Sequence, residues 1–178
     1  SANITSVLTV ILNSDEFNEA GEQRAKVKTP LELVTAVGRN FQATVDLPNL
    51  ANALNNLGMR LFEYPTPTGF SEEGADWLNT NAVAQRVRFV SRAMLNSQDG
   101  IAVDVISQFQ LNGYQSPESI VAYLSDLALA GQMSDVEREL ALAILNQDAL
   151  FDWNDITAEH KVRRVMAFVL SLPTYQYQ

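Results

Sequence analysis

The chain has 178 residues, 47% of them hydrophobic, and carries 12 Lys and Arg against 21 Asp and Glu for a formal charge of −9. That length suits one compact unit with an adequate core, and the excess of acids opposes binding to a nucleic-acid backbone, which depends on clustered cations. With no Cys and a single His, His160, disulfides, thiolate nucleophiles, Cys-ligated metal clusters and sites with two imidazole ligands are excluded, and any Ser-His-Asp machinery would have to pass through one residue.

No window approaches the roughly 20 apolar residues of a membrane-spanning helix. Asn3 can cap a first helix with Ile4, Val7, Leu8 and Ile11 on one face, ending near Phe17. The polar run from Asn18 to Lys28, with Gly21 in its middle, reads as a surface connection. The clearest start signal follows: Thr29 as cap, Pro30 at the first helical position and Glu32 completing a capping box. Leu33, Val37 and Phe41 recur every four residues until this helix fades near Thr44. Asp46 or Leu47 before Pro48 opens another, with Leu50, Ala53, Leu54 and Leu57 inward and Gly58 as a left-handed cap.

Helical periodicity fails from Leu57 to Asn79, LGMRLFEYPTPTGFSEEGADWLN. Pro65 and Pro67 bias Tyr64 and Thr66 toward extended backbone and remove two donors. A loop carrying Phe62, Tyr64, Phe70 and Trp77 is expected to lie across the helices with its rings as anchors. Thr80 can cap the next helix, which has Val83, Val87, Val90 and Met94 on one side and stops by Asn96. Ile101 to Gln110 fits either strand or helix, and with no visible strand partner helix is favoured. Ser116 with Pro117 opens a helix stopping at Gly131, and a second capping box, Ser134 with Glu137, opens one ending near Asn146. Phe151 and Trp153 should be buried, and the last helix runs on Val162, Val165, Met166, Val169 and Leu170 to Pro173. The expected fold is all-α: an irregular bundle of about seven or eight helices with one ordered Pro/aromatic loop. It forms a single domain over 1–178, with subdomains 1–95 and 96–178 as a further division.

Glu72, Glu73 and Asp76 could gather a hard cation, yet their spacing fits no calcium-loop template. The favoured reading has them at the first turn of a short helix, facing water. The cluster DWNDITAEH fails as an EF-hand loop because Ile156 stands at a ligand position and the obligatory Gly is missing. Asp155 and Glu159 are read as stabilising the start of the last helix. His160 could serve as a base, but no motif places a nucleophile beside it. Arg39, Arg60 and Arg86 could converge on a carboxylate or phosphate, or act as ion-pair partners in an acidic protein, which is favoured. No metal or cofactor is expected. The candidate binding residues are Arg60, Phe62, Tyr64, Trp77, Asn79 and Arg86, because irregular backbone on a rigid scaffold is where recognition residues concentrate.

ILNSDEF at Ile11 to Phe17, AKVKTPLELV at Ala25 to Val34, LGMRLFEYPTPTGF at Leu57 to Phe70, WLN at Trp77 to Asn79 and the closing LSLPTYQYQ occur in this order. Together with Arg39 and Arg86 they resemble the C-terminal half of the bacterial family known as domain of unknown function 1800. The resemblance implies a predominantly helical fragment of a larger protein in an exported or periplasmic setting, and it brings no catalytic residues. The expected function is a non-catalytic interaction or structural module, its partner another protein or the N-terminal region of the same chain. The rival is an enzyme, for example a hydrolase, whose site that region completes.

Overall fold

Eight runs of residues wind into α-helices in the computed structural model, which describes residues 3–23, 26–71, 73–96 and 98–178. They are α1 (Ile4–Leu12), α2 (Asp15–Gln23), α3 (Pro30–Asn40), α4 (Leu47–Asn56), α5 (Thr80–Asn96), α6 (Pro117–Leu129), α7 (Asp135–Leu145) and α8 (Ala158–Ser171). The only sheet among the described residues is a two-residue antiparallel ladder, β1 (Thr44–Val45) on β2 (Ile101–Ala102). The protein is thus all-α.

Local chemistry sets most helix starts. The Thr29 hydroxyl accepts from the Glu32 amide while the Glu32 carboxylate accepts from the Thr29 amide, closing the capping box of α3. Ser134 and Glu137 do the same for α7, and Ser116 with Ser119 for α6. Each cap satisfies donors that a helix end leaves unpaired, at about 1 kcal/mol apiece.

α8 organises the core. Val162, Val165, Met166, Val169 and Leu170 are fully buried, and Phe89, Val90, Ala93 and Met94 of α5 pack in one cluster with them and with residues of α3, α4, α6 and α7. Each of the Val, Leu, Met and Phe side chains contributes about 1.5–3 kcal/mol by leaving water. Polar groups tie the rods where their apolar faces end. Arg163 donates to the carbonyls of Met94 and Val103 and pairs with Glu159 at 2.7 Å, and buried Lys161 donates to Ala149 O.

Several sequence expectations are corrected. The first helix stops at Leu12, and residues read as a surface connection form α2, whose start is capped by Ser14 through the Phe17 amide. α3 ends at Asn40, because Thr44 and Val45 turn away to pair with Ala102 and Ile101. For the same reason Ile101 to Gln110 is not a helix throughout: it begins as β2 and only Ile106–Gln110 coils, in a wide π-type turn. Gly100 lets that ladder close. Its φ is +79°, and a Cβ there would sit 2.5 Å from Asp46 O and 2.6 Å from Leu50 N. Asn79, not Thr80, caps α5, accepting from the Ala82 amide. Phe151 and Trp153 are half-buried, edge to face at 5.1 Å, with the indole donating to Tyr114 O.

Candidate functional site: an aromatic loop over a polar clasp

The stretch from Leu57 to Asn79 leaves α4 through Gly58, whose φ of +88° a residue with a side chain would resist. Its second half is anchored. Trp77 is buried in a short 3-10 turn, Gly74–Trp77, and its indole donates to Ser71 O at 2.9 Å. Phe70 lies 6.1 Å from the Trp77 ring and Tyr64 lies 4.7 Å from Phe70, so three rings run in a chain from the core to the surface. Gly74 sits hard against Val27, where a Cβ would approach Val27 Cγ2 to 2.7 Å.

The first half is presented to solvent. Arg60 is exposed and pairs with Glu63 at 3.1 Å, Tyr64 is 42% exposed, and the Phe62 ring is wholly exposed at 103% with a φ of +64°. The expectation that the rings anchor the loop therefore holds for Trp77, Phe70 and Tyr64 and fails for Phe62, which touches too little protein to leave water.

Beneath the loop, segments distant in sequence close on one another. Backbone bonds join Lys28 to Gln176 O and Gln178 to Lys26 O, both at 2.8 Å, so the C-terminal residues lie antiparallel to residues 26–28. Lys28 is buried: its ammonium donates to the carbonyls of Tyr175 and Tyr177 and stands 4.1 Å over the Tyr175 ring. Arg86 comes in from α5, 2% exposed, and donates to Lys28 O at 2.6 Å and to Gln176 Oε1 at 3.2 Å. Burial pulls its guanidinium below the usual arginine range, with the Glu32 charge pushing the other way.

Glu32 completes the clasp. Burial works to raise its pKa, but bonds from Lys26, the Thr29 amide, Gln178 and the Thr29 hydroxyl outweigh it and hold the carboxyl at about 2 against 4.5. A carboxyl depressed in the folded state contributes stability that is present above the unfolded pKa and lost as pH falls through the folded one. Stability should therefore decline between about pH 4.5 and pH 2, and Glu32→Gln should flatten that part of the profile. Equilibrium urea unfolding at successive pH values measures both.

Loop and clasp face each other across a groove of about 340 Å³, with Lys26, Thr29 and Glu32 on one wall and Met59, Thr68 and Phe70 on the other. Arg39, Arg60 and Arg86 do not converge: Arg39 is exposed on α3, Arg60 pairs with Glu63 and Arg86 is inside the clasp. Glu72 lies outside the described residues. Glu73 stands at the cap of the 3-10 turn and Asp76 in its first turn, both exposed. Among the described residues no three His, Asp or Glu side chains gather as metal ligands would. His160 is exposed on α8, while Glu159 turns to Arg163 and Asp155 accepts from the Thr157 amide and hydroxyl.

The arrangement thus holds distant segments together and leaves the Phe62 ring wholly in solvent. Sequence reasoning missed Lys28, Tyr175 and Gln176. Their signal was present in the two stretches, AKVKTPLELV and LSLPTYQYQ, that carried the resemblance but could not be seen to touch. Neither a curated protein nor a solved structure matches the chain. The model of the family described as protein of unknown function (DUF1800) matches residues 1–177, and the chain belongs to that family.

Proposed function

We propose that the chain is a non-catalytic helical interaction module of a larger exported bacterial protein, and that the exposed half of the loop, Arg60 to Tyr64, is its contact surface. The observation that carries this reading is Phe62. A fully exposed ring on a residue at positive φ is costly twice over, and it stands beside three rings that fix the loop in place. Interfaces gain most from such aromatic anchors. The charged groups nearby are engaged in structure: Lys28, Glu32 and Arg86 hold the clasp. Its partner is a second protein or further residues of the same polypeptide.

A photo-crosslinking amino acid at position 62 tests this in cells. The expected result is one discrete adduct, identified by mass spectrometry as a partner or as the chain's own longer form, with none from the equally exposed position Ile156. Equal, diffuse labelling from both positions contradicts the reading. With the partner in hand, Phe62→Ala should weaken binding about tenfold or more while changing stability by less than about 0.5 kcal/mol.

A further inference from the structure

We infer that the cleft between the C-terminal end of α4 and the middle of α5 binds a small oxyanion, the carboxylate or phosphate group of a compact ligand. Gln85, Arg88 and Arg92 recur along one face of α5, and with Asn56 from α4 they line a cavity of about 210 Å³ whose floor is the buried Phe89. Among the described residues Arg92 pairs with Asp99 at 3.1 Å, and its side chain stays 39% exposed. Arg88 is exposed and has no ion-pair partner among them. Two guanidiniums four residues apart repel by about 0.2–0.5 kcal/mol on a helix, and an oxyanion between them turns that cost into attraction.

Charge balance favours the same ligand. Against two guanidinium charges stand the Asp99 carboxylate and the roughly half charge at the C-terminal end of α4, so the cleft keeps a positive surplus in a chain whose formal charge is −9. Planar guanidinium forks match carboxylate and phosphate oxygens in pairs, and the Asn56 and Gln85 amides add donors at the rim. The cavity is smaller than the ~300–1,000 Å³ of sites for drug-sized ligands. That size restricts the ligand to a few heavy atoms around the anion. The cleft meets the Leu57–Asn79 stretch only at Leu57, away from the exposed residues Arg60 to Tyr64, and does not rest on the proposed interaction surface.

Titrating the 178-residue chain with sodium phosphate and, separately, with sodium succinate at constant ionic strength, while following backbone amide resonances, decides it. The expected result is saturable binding of one of them at about millimolar Kd or tighter, with the largest shifts at Gln85 to Arg92. Phosphate saturation assigns a phosphate group, and succinate saturation a carboxylate. Arg88→Ala should weaken it about tenfold, whereas Arg39→Ala, the same charge change at an exposed position on α3, should leave it unchanged. Gln85→Ala provides the second variant should Arg88→Ala melt early. Failure of both anions to saturate, or equal weakening by the Arg39 and Arg88 variants, overturns the inference.

Discussion

Arg86→Met should lower the melting temperature by about 5–15 °C, the equivalent of roughly 2–4 kcal/mol in a protein of this length. The sign is not obvious, because a buried guanidinium is costly and a hydrophobic replacement can relieve that cost. Partners decide it. Met reproduces the apolar stem, but Lys28 O and Gln176 Oε1 both lose their donor in a place water does not reach, and an unmet buried acceptor costs about 1–3 kcal/mol. Differential scanning calorimetry gives the value. A shift under about 2 °C would mean that the carbonyls find water and that the clasp is not tight.

Tyr175→Ala should cost more, about 3–5 kcal/mol, as truncations of buried aromatics do. The ring is 1% exposed within the main core cluster and underlies the Lys28 ammonium. Its removal leaves a cavity, takes away the cation's aromatic face and frees the short segment Pro173–Gln176, which with the following Tyr177 delivers two carbonyls to that same ammonium. Tyr175→Phe keeps the ring and should cost no more than about 1–2 kcal/mol. Urea unfolding of the two variants separates ring from hydroxyl, and near-equal losses would show that the ring's packing is not what holds the C-terminal residues.

The parts of this structure legible in the sequence are those whose cause is local. Thr29 and Glu32, Ser134 and Glu137, or Asp46 before Pro48 act within four residues of themselves, so helix starts could be read directly. The ladder could not, since Ile101 meets Val45 from far along the chain and alternation alone does not reveal a partner. α2 was hidden by its polarity and by Gly21. Lys28 looks like any surface lysine in a polar run, and only its non-local acceptors make it a core residue. Arg86 was singled out as a recognition residue for its charge, and the same charge serves the clasp. The loop was legible as an irregular, ring-bearing segment, but which ring stays in water depends on what lies below each, and that separates Phe62 from Trp77.

Residues 26–32, α5 and the C-terminal residues are expected to melt as one cooperative structure. A double-mutant cycle on Arg86→Met and Tyr175→Ala tests it most directly, because the two side chains share Lys28 and the C-terminal segment. The predicted result is a double variant less destabilised than the sum of the singles by about 1 kcal/mol or more, since either change alone already loosens the segment the other needs. Additivity within about 0.5 kcal/mol would contradict it and reduce the clasp to separate, independent contacts.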